Sequence, residues 1–359
     1  MQPNDHIAAM VPYALADFSV PEGVEMLSLA QNESMRPPSP RALAAAKSAL
    51  LSSADYPDPN YPELRQAIAE LHNLKASSIL CGAGSMELIT CITQAYAGPN
   101  AHVITSQYGY ALFRNAAEKM DARCDLSIEP DHKVSVDSLL DDITRQTRLC
   151  FVANPGNPTG TVLANSEIRR LRTEMPETVL LVVDEAYGEF FDADDAPLFD
   201  LTELGNTIIL RTLSKAYGLA SARVGWGLFP ITVAEQVRKL IIPSSISSIS
   251  AAMAKAAIED QDYMRETCKQ TKQLRLDLIG RVRGCGLTCR DSHTNFILIE
   301  FPNVETALSA DHALRQAGLI ARGMAGYGLG HCLRVTIASQ EKMERVATAL
   351  ELWAREQQA

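Results

Sequence analysis

Between residues 102 and 211 the chain repeats one pattern: a short run of apolar, largely β-branched residues, then a segment of helical length. The runs are 102-HVIT-105, 149-LCFVA-153, 178-TVLLVV-183 and 207-TIILR-211. Each is apolar at consecutive rather than alternate positions, so both faces of the strand it forms need cover. Strands of this kind, spaced by helices, predict an α/β unit with a mainly parallel sheet sandwiched by helices. In open parallel sheets, ligands bind beyond the carboxyl ends of the strands. The polar clusters fall at those ends: 106-SQYGY-110, 154-NPGNPTG-160, 184-DEAY-187 and 212-TLSK-215.

Before these runs, 61-YPELRQAIAELHN-73 places Leu64, Ile68 and Leu71 at helical spacing with charges opposite, which predicts an amphipathic helix. The tail reads differently. A Ser/Ile-rich link, 243-PSSISSISAA-252, is followed by a charged helical pattern to about residue 283. Strands are then expected at 295-NFILIEF-301, 319-LIARG-323 and 332-CLRVTIA-338, with helices at 304–317 and 340–356: a smaller α+β domain. At 359 residues the chain is long enough for two such units.

Charge and composition narrow the partners. A net charge of −10 argues against non-specific binding to nucleic acid or an anionic membrane, both of which need a basic face. The first residues, MQPNDHIAAMVPYALADFSVPEG, lack the basic and apolar regions of a secretory signal. No apolar run approaches the roughly 18 residues of a membrane span. The eight cysteines are scattered without a zinc-binding pattern and read as free thiols of a reducing, cytoplasmic setting.

Lys215 lies where a strand turns into a helix, beside Thr212 and Ser214, with Arg223 downstream. Alone it reads as a surface lysine, and Asp184 as a strand-end cap or the partner of a buried cation. The stretch 82-GAGSMELI-89 reads as a Gly-rich turn opening a helix, where Gly84 and the backbone N–H groups of Ser85 and Met86 would face an anion. Thr212, Ser214 and Arg223 could hold the same anion more firmly. One chemistry uses all of these parts: a pyridine aldehyde phosphate joined to a lysine as a Schiff base, with a carboxylate on the pyridinium nitrogen.

The segments TLSKAYGLASARVGWG, LLVVDEAYGEF, NPGNPTG, GAGSMELI and CLRVTIA resemble, in family order, those of fold-type I aminotransferases dependent on pyridoxal 5'-phosphate. The resemblance is strongest to the histidinol-phosphate aminotransferase branch and runs from about Tyr13 to the C-terminus. It implies that Lys215 forms the Schiff base and then carries the substrate proton, while Asp184 pairs with the pyridinium nitrogen. It implies that Asn157 and Tyr187 hydrogen-bond the ring oxygen and Tyr108 stacks on the ring. Gly84, Ser85, Met86, Thr212, Ser214 and Arg223 would hold the phosphate. Tyr56 would reach it from a neighbouring subunit, which implies a homodimer with shared sites. Tyr13, Asn32, Arg322 and Arg334 would line the substrate end. The implied organisation is a segment 1–35 joining the small domain, a coenzyme-binding large domain 36–243 and a small domain 244–359.

Three departures from the usual pattern stand out: the run 32-NESMRPPSP-40, Met86 where an acidic residue is usual, and Ser221-Ala222 before the arginine. The implied reaction moves an amino group from a small-molecule donor, with histidinol phosphate leading, to a 2-oxo acid such as 2-oxoglutarate. Aromatic amino acids are a second class of donor, with Tyr13 and Tyr327 on an apolar side. The same scaffold also serves decarboxylases of the threonine-phosphate type, cyclising enzymes and regulatory domains. The last would need a fused DNA-binding segment, and the chain has no basic N-terminal extension.

Overall fold

The structure, a computed structural model, describes residues 1–12, 17–191 and 197–357. Numbered along the chain, the first eight strands of the described residues are β1 (Leu27–Ser28), β2 (Ile79–Ala83), β3 (His102–Ser106), β4 (Cys124–Ser127), β5 (Thr147–Ala153), β6 (Leu180–Asp184), β7 (Thr207–Thr212) and β8 (Val224–Leu228). The last five are β9 (Thr288–Cys289), β10 (Phe296–Glu300), β11 (Leu319–Ile320), β12 (Arg322–Met324) and β13 (Leu329–Thr336).

Seven strands make the main sheet, in the order β2-β8-β7-β6-β5-β3-β4. Pairs from β4 across to β7 are parallel, whereas β8 runs antiparallel to both β2 and β7. Successive strand residues serve opposite faces. Phe151, Val182, Ile208 and Leu210 pack with Leu88, Ile92 and Phe113 on one side. Cys150, Val152, Leu181, Val183 and Ile209 pack with Leu139, Ile168 and Leu171 on the other. The doubly apolar runs are thus the central parallel strands, covered on both faces.

A second sheet, β12-β13-β10-β9, is antiparallel throughout. Its Ile297, Ile299, Leu333 and Val335 bury against Leu278, Val282, Leu314 and Leu350 from the helices behind it. Strand β1 joins this region by parallel pairing with β11, Leu27 opposite Leu319, and Leu29 enters the same core. The N-terminal segment then continues toward the ends of the main sheet.

Two local features add to the sequence-based expectation. The segment 224-VGWGL-228, not among the expected strands, forms β8, anchored by the buried Trp226. The Ser/Ile-rich link contains a helix, Ser248–Ile258, capped by Ser247, whose side chain accepts the Ser250 N–H at 3.1 Å. Its Ala254, Ala257 and Ile258 share a core with Leu64, Ile68 and Trp226 of the larger unit. Tertiary burial outweighs the weak helix propensity of the serines. All eight cysteines are free thiols, five of them buried. No helix of the described residues is long and apolar enough to cross a membrane.

Candidate active site

The carboxyl ends of the parallel strands and the amino end of β8 open onto one cavity of about 540 Å³. Its phosphate-like end is built where β2 turns into the helix Ser85–Tyr96. Gly84 makes the turn with φ +75°, and a Cβ there would lie 2.5 Å from Arg223 Nη2. A Cβ on Gly225 would lie 2.1 Å from the Ser85 nitrogen, so β8 approaches the helix start too closely for any side chain. Arg223 Nη1 donates to Ala220 O at 2.9 Å and to Ser214 Oγ at 3.3 Å. The Thr212 hydroxyl donates to Ser214 Oγ at 3.0 Å and accepts the Ser214 N–H at 3.2 Å. A helix start, two hydroxyls and a guanidinium therefore converge before any ligand arrives, an arrangement suited to a phosphate.

Lys215 enters the floor of the cavity and donates from Nζ to Gln31 O at 3.2 Å. Burial, reinforced by the guanidiniums of Arg334 and Arg223, brings its ammonium down to about 8. Asp184, 3% exposed at the end of β6, accepts the Ala186 N–H at 3.1 Å. Burial pushes its carboxyl up to about 7, against the pull of that N–H and of Lys215. A buried carboxylate held this high needs a cation close by to stay ionised. Tyr187 is buried and pushed up to about 12 by burial; its oxygen accepts Asn32 Nδ2 at 2.8 Å.

The substrate end is shaped by the N-terminal segment and the small sheet. Asn32, in a left-handed conformation with φ +56°, donates its N–H to Thr336 Oγ1 at 3.0 Å. Arg334 reaches Asn157 Oδ1 at 2.6 Å and Ala30 O at 2.8 Å. Arg322 is its direct partner across the β12–β13 ladder, and both line the cavity with Tyr327. Arg322 and Tyr327 also line a second cavity, of about 1140 Å³.

Of the residues singled out in the sequence, Asn32, Ser85, Met86, Asn157, Asp184, Tyr187, Thr212, Ser214, Lys215, Arg223, Arg322 and Arg334 all line the inner cavity. Tyr108 is not among the residues that line it. Its N–H donates to the buried Glu129 at 3.0 Å, and its ring meets His132 edge-on and packs beside Met324 and Cys332. Tyr110, two residues on at the start of the helix Ala111–Lys119, is the aromatic residue from this turn that faces the cavity. Its place immediately before that helix was the available signal. Sequence reasoning also missed the backbone of Gln31, which takes the Lys215 ammonium. Tyr56 is 95% exposed and outside the cavity. Tyr13 lies outside the described residues.

These residues fit a phosphorylated pyridine aldehyde: an amine of lowered pKa, a buried carboxylate in need of a cation, phenol and amide groups beside it, and the phosphate cradle. Residues 24–350 match the family of class I and II aminotransferases, and the chain belongs to that family. It is an aminotransferase with pyridoxal 5'-phosphate as its coenzyme. The particular relatives are histidinol-phosphate aminotransferases. That of Jannaschia sp. is 37% identical over 98% of this chain and 97% of its own, and that of Paramagnetospirillum magneticum 39% identical over 97% of each. The crystal structure of the Sinorhizobium meliloti histidinol-phosphate aminotransferase in complex with pyridoxal-5'-phosphate superposes with a TM-score of 0.90. It is 29% identical and covers 99% of this chain and 98% of that one.

Proposed function

We propose that the chain moves an amino group from histidinol phosphate to a 2-oxo acid such as 2-oxoglutarate. The observation that carries this reading is the pairing of Arg322 with Arg334 directly across two antiparallel strands, both lining the cavity. Like charges placed opposite one another are unfavourable by themselves, and a dianion between them reverses the sign. The names of the relatives agree.

In this reading the bound coenzyme supplies an electron sink that lets the substrate Cα–H ionise. Lys215, held near 8, is partly neutral at physiological pH and serves as the amine that binds the coenzyme and as the base that moves the proton. Asp184 keeps the ring nitrogen protonated, and a cation there returns its carboxyl toward the ordinary range. Asn157 has its carbonyl oxygen engaged by Arg334, which leaves its NH₂ for the ring oxygen alongside the Tyr187 hydroxyl. Tyr110 covers one face of the ring. Gly84, Ser85 and Met86 through their backbone, with Thr212, Ser214 and Arg223, hold the phosphate.

We read the enzyme as a cytoplasmic homodimer in which Tyr56 of one subunit reaches the phosphate of the other. Its exposure, with that of Leu50 and Leu51 shortly before it in the chain, supports this. We place the large domain from residue 36 to about 258, because the helix Ser248–Ile258 packs with its core. The small domain takes the rest of the chain, joined by the N-terminal segment through β1.

The test is a half-reaction scan on the yellow enzyme with histidinol phosphate, phenylalanine, tyrosine, aspartate or threonine phosphate. Histidinol phosphate should bleach the visible band fastest, with a matching near-ultraviolet rise. Preference for phenylalanine would make the enzyme an aromatic aminotransferase, and carbon dioxide release without bleaching would make it a decarboxylase. Arg322→Ala should raise the KM for histidinol phosphate by roughly 100-fold, the worth of a charge-assisted contact. The value for phenylalanine should stay within about threefold. Equal losses for both substrates would remove Arg322 as the reader of the substrate phosphate.

A further inference from the structure

Glu87, in the first turn of the helix Ser85–Tyr96, has no role in the chemistry described so far. Its carboxylate nevertheless accepts three hydrogen bonds. Oε2 takes the Ala83 N–H at 2.6 Å and the Ser245 hydroxyl at 2.7 Å, and Oε1 takes the Ile242 N–H at 3.2 Å. Ala83 is the last residue of β2, immediately before the Gly84 turn. Ile242 and Ser245 belong to a segment more than 150 residues further along the chain. That segment is itself tied down: Ser244 Oγ donates to Pro57 O at 3.0 Å, and the Ile246 N–H donates to Tyr61 Oη at 2.9 Å.

We propose that Glu87 is a positioning residue for the coenzyme phosphate, clamping the strand end and the helix start at the separation the anion requires. The inference rests on the reading that the Ser85 and Met86 N–H groups hold that phosphate. Two effects of Glu87 oppose each other. Its charge sits favourably at the positive end of the helix but repels an anion bound there. Its hydrogen bonds fix the donors, and a hydrogen bond whose donor is turned out of line with its acceptor weakens steeply. The three charge-assisted hydrogen bonds make the geometric effect the larger one.

The charge and the geometry separate in one measurement: the ratio of affinities for pyridoxal 5'-phosphate and for pyridoxal, which lacks the phosphate. Both are titrated into the full-length enzyme after its coenzyme has been removed, with no amino substrate present. A variant that merely loosens the fold weakens both and leaves the ratio alone. Glu87→Ala should lower the ratio by about tenfold or more. Glu87→Gln keeps one acceptor oxygen for Ala83 and Ser245 while losing the charge, and should stay within about threefold of the parent. A ratio in Glu87→Ala that is unchanged or increased overturns the proposal, as does identical behaviour of the two variants. Should Glu87→Ala not fold, Ser245→Ala removes one arm only and should lower the ratio about threefold; no change there overturns the proposal equally. Arg223→Ala separates this proposal from its premise. If that variant leaves the ratio unchanged, the phosphate site itself is misassigned. If it lowers the ratio while Glu87→Ala does not, only the role of Glu87 fails.

Discussion

Lys215→Ala is expected to reduce the half-reaction rate by at least about 10⁴-fold, the upper range for loss of a positioned proton carrier. Coenzyme binding should largely survive, because the phosphate cradle of Ser85, Thr212, Ser214 and Arg223 does not depend on the lysine. Stopped-flow absorbance measures the rate. Borohydride reduction followed by peptide mass spectrometry should find a coenzyme adduct at Lys215 in the parent and none in the variant. Residual activity above about 1% in the variant would place the proton carrier elsewhere. The expectation follows from the surroundings of the ammonium: enclosed, near Arg334 and Arg223, and brought down to about 8.

Asp184→Asn should act in opposite directions on the empty and the loaded enzyme. In the folded coenzyme-free protein the carboxyl titrates at about 7, against 3.8 for an ordinary aspartate. Between those values the folded state holds a proton that the unfolded state has lost, so stability falls as pH rises from about 4 to about 7. Above that window the full penalty of a buried charge is present, on the order of 4 kcal/mol. Asparagine carries no charge, so the coenzyme-free variant should be more stable than the parent at pH 8, with the gap shrinking at pH 5. Urea unfolding at the two pH values measures it, and a gap independent of pH would contradict the assigned titration. In the loaded enzyme the same change removes the partner of the ring nitrogen. Coenzyme affinity and proton abstraction should both fall, the latter by roughly 10²-fold or more. The buried carboxylate thus costs stability in the empty protein and serves the coenzyme in the full one.

Much of the site could be read before the fold, because its residues are punctuation at strand ends. Asp184 follows the apolar run of β6, and Thr212, Ser214 and Lys215 follow that of β7. Once the runs are recognised as parallel strands, these groups must emerge on one side of the sheet. Tyr108 and Tyr110 show where that reasoning stops. Both lie in the same turn, and a step of two residues separates a ring packed beneath the small sheet from one that faces the cavity. Strand β8 was not among the expected strands: Gly225 and Gly227 interrupt its apolar run, and only the close approach of the Ser85 backbone explains the first of them.

The local sequence by itself determined the alternation of strand and helix and the chemical groups at the strand ends, since both arise from periodicity and from neighbours a few residues apart. The tertiary structure decided what those groups meet. It set Arg322 opposite Arg334, brought Gln31 O to the Lys215 ammonium and carried Ser245 back to Glu87. Each of these depends on strand register or on contacts between distant segments, which are selected by burial of the whole core and leave no trace in any short stretch of chain.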